Sequence, residues 1–150
     1  GMSLQEKIMD AMKTAMKSKD TQSLEALRSV KSALLLAQTE TGSKADLTEE
    51  EEIKLLQKQV KQRKDSAAIY KEQGREDLAE PELTQAKVIE QFLPKQLSED
   101  EVGKIVDDII AATGASSMAD MGKVMGLATA KVAGKADGKT ISTVVKKRLS

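Results

Sequence analysis

The stretch that decides the fold is Met118-Ala-Asp-Met-Gly-Lys-Val-Met-Gly126, followed at a short distance by Gly134-Lys-Ala-Asp-Gly-Lys139. Apolar residues recur there at helical spacing, and glycines and a capping aspartate interrupt the pattern. Residues 114–150 hold seven basic side chains and two acidic ones, a net charge of +5. This pattern predicts a small helical unit with one positive face, which favours a polyanion over a small metabolite as its partner.

Every other segment with a clear apolar pattern also has helical period, and none alternates like a strand. The first helix is predicted to bury Leu4, Ile8, Met12 and Met16, which recur at four-residue spacing. The polar stretch 39–46 is predicted to be a loop. Three helix starts combine a hydroxyl residue with a glutamate three positions later, the pattern of a capping box; they are Ser3 with Glu6, Thr48 with Glu51, and Ser98 with Glu101.

Two prolines divide the region after the long third helix. Because proline costs roughly 3 kcal/mol inside a helix, the fourth main helix is predicted to begin near Pro81, with 77–80 as a separate turn. Pro94 is predicted to end that helix and to lie in the joint between two parts. The expected fold is all-α, with an N-terminal bundle or hairpin of about four helices in residues 1–95 and a small three-helix domain in residues 96–150.

The residue types that the chain lacks exclude several classes of function. There is no cysteine and no histidine, which removes disulfides, thiolate chemistry, the usual zinc ligands and imidazole acid–base catalysis. Tyr70 and Phe92 are the only aromatic residues, so stacking of single-stranded bases is not expected. No apolar run approaches the ~20 residues of a membrane span and no signal peptide is evident, so a soluble, cytoplasmic protein without a membrane partner is predicted.

The remaining candidates for chemistry have simpler structural explanations. The segment from Gly134 to Thr140 is similar to a phosphate-binding P-loop, but three residues separate its glycines where that loop needs four. The acidic run 49–52 suits the positive end of a helix dipole better than a metal site. Ser66 follows Lys64 and Asp65, yet neighbours one and two apart do not face each other on a helix. No catalytic, cofactor-binding or metal-binding residue is therefore predicted.

The basic residues of the last third are the strongest candidates for a site. Solvated lysines are the usual meaning of such a run, but acids are scarce around them, and the turns at Gly134 and Gly138 are expected to expose backbone N–H groups to phosphate. Gly122 and Gly126 are expected to leave room for a close neighbour. Gln62-Arg63-Lys64 on the long helix adds to the same face or to a separate one. The run consists of Lys123, Lys131, Lys135, Lys139, Lys146, Lys147 and Arg148.

Several motifs in sequence order make the chain resemble the YqeY-like family, which is also called the GatB/YqeY domain. The most specific are Asp120-Met-Gly-Lys-Val-Met-Gly126 and Gly134-Lys-Ala-Asp-Gly138. The resemblance covers nearly the whole chain, and it implies an unbroken helix at Pro81. The other motifs are Leu27-Arg28, Lys61-Gln-Arg-Lys-Asp-Ser66, Gly74-Arg75 with Asp77-Leu-Ala79, and Phe92-Leu-Pro94 with Gln96-Leu97.

The resemblance implies a role in transfer-RNA chemistry. A similar domain forms the tail of the B subunit of the glutamine-dependent aspartyl/glutamyl-tRNA amidotransferase, where it helps to hold the tRNA while other subunits perform the chemistry. Carbon–nitrogen ligase activity with glutamine as amido-N-donor is implied by the resemblance alone. By analogy we expect tRNA contacts through Gly122, Lys123, Gly134, Lys135 and Lys139, to which the charge pattern and the turn add Lys131 and Gly138.

The sequence leaves three functional hypotheses open. The first is a tRNA-binding accessory protein of translation, which binds tRNA or another structured RNA and works with an amidotransferase or synthetase partner. The second is a non-enzymatic protein-interaction module that docks on an enzyme through the methionine- and glycine-lined helix around Met125. The third, an independent amidotransferase, requires a nucleophile and an ammonia source that are not evident in the sequence.

Overall fold

A computed structural model of the chain describes residues 1–40 and 46–150, and within these ranges it contains seven α-helices and no strand. The all-α prediction is confirmed. The helices belong to two compact units, Gly1–Leu93 and Pro94–Ser150, each with its own buried apolar cluster. The loop predicted at 39–46 lies largely outside the described residues. No helix in the described ranges is both long and apolar enough to cross a membrane.

Four helices form the first unit: α1 Leu4–Ser18, α2 Thr21–Glu40, α3 Glu49–Glu72 and α4 Glu76–Glu90. Capping boxes begin α1 and α3 at the two positions that the sequence predicts. The apolar faces of all four helices meet in one core, because each stripe alone would stay exposed to water. Its fully buried members include Ile8, Leu27, Val30, Leu34, Leu56 and Ile89.

Met16 does not belong to this core, so the prediction that it is buried was wrong. Its side chain is 52% exposed, and the neighbouring Ala15 is buried instead. A four-residue step along a helix with 3.6 residues per turn rotates the side chain by about 40° each time. The stripe that starts at Leu4 and passes through Ile8 therefore leaves the buried face before it reaches its fourth member.

Pro81 lies inside one continuous helix, so the predicted helix start at this residue was also wrong. α4 begins at Glu76, which makes Pro81 its sixth residue. The proline ring removes the N–H that would bond the carbonyl of Asp77. The helix continues because packing holds it on both sides of the proline: Ala79 before it and Ile89 after it are both fully buried. The unbroken helix agrees with the family resemblance.

Three helices form the second unit: α5 Glu99–Thr113, α6 Met121–Val132 and α7 Gly138–Leu149. A short 3₁₀ helix, Met118–Asp120, leads directly into α6. Ser117 caps this 3₁₀ helix, and its side chain accepts the backbone N–H of Ala119. The core of the unit draws on all three helices, and its fully buried members are Val102, Val106, Val124, Ala128, Val132, Ile141, Val144 and Val145.

Candidate nucleic-acid interface

The connection between α6 and α7 is a short turn that is fixed in three ways. Ala133 and Gly134 both adopt left-handed backbone angles, with φ of 47° and 82°, and so end α6. Ala136 is buried in the core of the second unit. Asp137 accepts the backbone N–H of Thr140 at 2.7 Å and caps α7. The turn therefore places one exposed residue, Lys135, between a helix end and a buried anchor.

The cap of α7 limits what the turn can offer to an anion. The sequence predicts backbone N–H groups that are free to meet phosphate at this helix start. That expectation is not met at Thr140, whose N–H is bonded to the Asp137 carboxylate. The same carboxylate places negative charge at the positive end of the helix dipole. The Thr140 N–H is therefore not available to a polyanion, and the positive charges that the turn offers are those of its exposed lysine side chains.

Five of the seven predicted site residues lie in or beside this turn. Lys131 is in the last turn of α6, Lys135 is in the connection, and Lys139 is in the first turn of α7; all three are exposed. Gly134 and Gly138 lie between them in the same segment. Within the described part of the chain, none of the three lysines takes part in an ion pair.

The other two predicted residues, Gly122 and Lys123, lie away from the turn. Both are exposed in the first turn of α6. Lys123 precedes Lys131 by eight residues, which corresponds to about 12 Å along the helix axis. Lys146 lies on α7, where it follows Lys139 by seven residues, close to two turns of the helix. The predicted site residues are thus distributed over α6, the turn and the start of α7.

Two members of the basic run form ion pairs with acidic residues of α5. Lys147 Nζ lies 3.1 Å from Glu99 Oε1, and Arg148 Nε donates to Asp107 Oδ1 at 2.8 Å. These pairs join residues 48 and 41 positions apart, which no local spacing in the sequence reveals. The positive surface that is left for a partner therefore consists of the lysines of α6, of the turn and of the outer face of α7.

The outward side of α6 has no neighbour in the described chain. A Cβ built on Gly122 or Gly126 would meet no atom of a neighbouring element within 4 Å among the described residues, so no described part of the chain uses the room that these glycines leave. Met125 packs against the core, whereas Met118 and Leu127 are 45% and 44% exposed. Open space therefore lies beside two glycines of α6, and two apolar side chains are exposed nearby in sequence, Leu127 within α6 and Met118 in the 3₁₀ helix before it.

The basic motif of the long helix is engaged inside the first unit. Arg63 is half-buried, and its Nη1 and Nε atoms donate to the side-chain oxygens of Gln59 at 2.8 Å and of Gln85 at 3.1 Å. Burial lowers the pKa of Arg63 from its usual value. Lys64 Nζ lies 3.2 Å from Glu90 on α4. These two bases contribute to the packing of α3 against α4.

The acidic start of α3 is accounted for by helix capping. Glu51 accepts the backbone N–H of Thr48 at 2.9 Å, and this bond lowers the pKa of the Glu51 carboxyl. Partial burial is the main cause of a raised pKa at Glu52. Among residues 1–40 and 46–150, no three acidic side chains are grouped closely enough to hold a metal ion.

Sequence analysis also missed a contact that holds the turn from outside. The backbone N–H of Leu97 donates to the carbonyl of Lys135 at 2.7 Å, and the side-chain amide of Gln96 donates to the carbonyl of Gly134 at 3.1 Å. Gln96-Leu97 is one of the family motifs, so the sequence does single out these two residues. It does not indicate their role, because the residues that they bond lie 38 positions away.

Comparison with known proteins identifies the family of the chain. A family model described as a Yqey-like protein matches residues 5–149. The chain belongs to the YqeY-like family. The match extends over both units of this YqeY-like chain and includes the whole α6–α7 turn.

Two proteins from Thermococcus species are similar to part of the YqeY-like chain. The E subunit of the glutamyl-tRNA(Gln) amidotransferase of Thermococcus gammatolerans is 41% identical over 73 residues, which is 46% of this chain and 12% of that protein. The corresponding protein of Thermococcus sibiricus is 40% identical over 73 residues, with the same shares of the two chains. The YqeY-like chain thus matches only a small part of the length of each relative.

Proposed function

We propose that the second unit binds structured RNA, with tRNA as its physiological ligand, and that the protein acts as an accessory to an amidotransferase or synthetase. Lys131, Lys135 and Lys139 carry the binding, with Gly134 and Gly138 in the same turn. Lys123, next to Gly122, extends the contact along α6. The amide transfer from glutamine is then performed by the partner.

The observation that carries this proposal is the separation of charge within the second unit. The last two bases of the run are already paired with acids of α5, while the lysines of the α6–α7 turn are exposed and outside the ion pairs of the described chain. Exposed, unpaired ammonium groups are what a phosphate backbone attracts. RNA helices are recognised mainly through shape and through phosphate and sugar contacts, which lysines can make without aromatic residues.

The relatives support the choice of tRNA among structured RNAs. Both belong to a glutamyl-tRNA(Gln) amidotransferase, an enzyme whose named substrate is a tRNA. The similarity reaches across 46% of this chain, and family membership reaches across residues 5–149. A module that is shared with such an enzyme is well suited to hold the RNA while another protein carries out the chemistry.

The test is a titration of unmodified tRNA against the wild type and a Lys131→Glu, Lys135→Glu, Lys139→Glu triple variant at several salt concentrations. If about four phosphates are engaged, log affinity should fall against log salt with a slope of roughly −3. The triple variant should lose most of its binding. A matched control variant makes the same change in net charge at exposed sites of the first unit, and it should lose much less RNA affinity. It carries Lys58→Glu, Lys71→Glu and Lys87→Glu. Equal losses in both variants, or binding that ignores salt, would reject the proposal.

A second candidate function, docking on a protein partner, is favoured by the outward side of α6. Met118 and Leu127 remain 45% and 44% exposed there, beside glycines that face open space. A contiguous apolar patch on a protein surface is a common feature of protein contact sites. In this case Leu127→Glu should break a complex with the partner enzyme, while charge reversal of the turn lysines should leave that complex intact.

A further inference from the structure

We propose that Gln96 and Leu97 are positioning residues for the α6–α7 turn, and that they set the affinity of its lysines for RNA without contacting the RNA themselves. This inference rests on the proposed function, because it assigns a role to residues behind the same binding surface. It also gives a role to the Gln96-Leu97 motif, which is not explained by the lysine surface.

The two residues hold consecutive carbonyl groups of the turn. Gln96 Nε2 donates to the carbonyl of Gly134 at 3.1 Å and to that of Pro94 at 2.7 Å, so both of its amide hydrogens are used. The backbone N–H of Leu97 donates to the carbonyl of Lys135 at 2.7 Å. The Leu97 side chain is partly buried against the core of the second unit, which fixes its backbone in place. The turn is therefore tied to a packed residue.

These bonds add to the features that fix the turn from within. Two successive residues in the left-handed region, Ala133 and Gly134, end α6, and a non-glycine residue at positive φ is strained. The N–H of Lys135 bonds back to the carbonyl of Val132 at 2.9 Å. With its carbonyl bonded to Leu97 as well, Lys135 has both backbone polar groups engaged.

A turn that is ordered before binding has a direct effect on affinity. Ordering a flexible segment at the moment of binding costs conformational entropy, and a segment that is already ordered avoids this loss. Lys135 lies at the middle of the binding surface, between Lys131 and Lys139. Loss of the Gln96 bond should therefore weaken binding at every salt concentration, since the number of lysines that meet phosphate stays the same.

The experiment compares tRNA binding by the wild type, Gln96→Met, Lys135→Ala and Gln91→Met. Methionine keeps the length of glutamine and removes both donors, and Gln91 is an exposed glutamine outside the second unit. We expect Gln96→Met to bind about three- to tenfold more weakly, the effect of losing one hydrogen bond. Its salt slope and melting temperature should match the wild type. Lys135→Ala should instead reduce the salt slope by about one, and Gln91→Met should behave as the wild type does.

A second measurement follows the turn without RNA. Hydrogen exchange of the Leu97 and Lys135 amides should accelerate in Gln96→Met, while exchange in the helix cores stays unchanged. Wild-type affinity in Gln96→Met, unchanged exchange at these amides, or a salt slope that falls as in Lys135→Ala would each overturn the inference. If the wild type itself fails to bind tRNA, the proposed function is rejected and the positioning role in RNA binding with it. If the wild type binds and Gln96→Met binds equally well, this inference alone is rejected.

Discussion

The guanidinium of Arg148 lies over Gly103, in the space that a Cβ on Gly103 would occupy. From there its Nε donates to Asp107 at 2.8 Å, so the end of α7 is fastened to the middle of α5. A glycine inside a helix costs about 1 kcal/mol relative to alanine. Contact with the arginine is the structural reason for a glycine at this buried position.

This relationship predicts a coupling between the two residues. In the wild type, Gly103→Ala gains up to about 1 kcal/mol of helix propensity but displaces Arg148 and loses an exposed ion pair worth at most about 1 kcal/mol. The net change in unfolding free energy should be close to zero. In an Arg148→Ala background the obstruction is gone, and Gly103→Ala should stabilise the protein by about 1 kcal/mol. Urea unfolding of the four proteins measures the cycle, and equal effects in both backgrounds would contradict it.

The parts of the fold that could be predicted from the sequence are those with local determinants. A capping box needs residues three positions apart, and all three predicted boxes are present, at Ser3, Thr48 and Ser98. The apolar residues of α7 recur at helical spacing, and all four, Ile141, Val144, Val145 and Leu149, are buried. In both cases the residues that determine the structure are close together in the sequence.

The parts that could not be predicted depend on residues brought together by folding. The pairing of Lys147 with Glu99 removes a charge from the candidate site, and the bond from Gln96 to Gly134 supports that site, yet each joins distant positions. Proline generally disfavours a helix interior, yet α4 continues through Pro81, because its tertiary packing outweighs the missing hydrogen bond. The run of lysines in the sequence predicts where the candidate surface lies. It does not predict which of these bases are paired with acids of α5.

Pro81 supplies a second prediction. Alanine at this position would restore the N–H that bonds the Asp77 carbonyl and would remove the ring from the helix interior. The unfolded chain would gain some freedom, which offsets part of the benefit. Pro81→Ala should therefore stabilise the first unit by about 1–2 kcal/mol, seen as a higher urea midpoint with unchanged slope. Glu80→Ala, at the exposed neighbouring position, should have little effect. A lower midpoint for Pro81→Ala would show that the proline is needed for packing.

The ion pair between Lys147 and Glu99 predicts a gain of RNA affinity. Glu99→Gln should release the lysine, so one more ammonium group can meet phosphate and the salt slope should steepen by about one. The pair is exposed, so its loss should cost the fold less than about 1 kcal/mol. Asp108→Asn serves as the control, because it removes the same charge from an exposed position of α5 that is in no ion pair of the described chain. Equal gains from both variants would indicate a general charge effect and not the release of Lys147.

The capping box of α5 predicts how the second unit responds to acid. The backbone N–H of Ser98 donates to Glu101 at 3.0 Å, and this bond is the main cause of a lowered pKa for the Glu101 carboxyl. Because the folded-state pKa lies below the unfolded one, its stabilisation is present above the unfolded pKa and is lost as the pH falls through the folded pKa. Glu101→Gln keeps an acceptor that does not titrate. Wild type should melt higher than this variant at neutral pH, and the two should converge in acid. A constant difference between them would contradict the assignment.

The open surface beside Gly122 and Gly126 predicts that stability and binding respond in opposite directions. A Cβ at either position meets nothing in the described chain, so alanine should stabilise α6 by up to about 1 kcal/mol per site through helix propensity. If RNA or a protein approaches this backbone closely, the added methyl groups should weaken that contact. Gly122→Ala, Gly126→Ala should therefore melt at a higher temperature than the wild type and bind its partner less tightly. The control is Ala130→Ser, which makes a similarly small change at another exposed position of the same helix. It should leave partner binding unchanged. A double variant that is more stable and binds normally would show that no partner comes close to this side of α6.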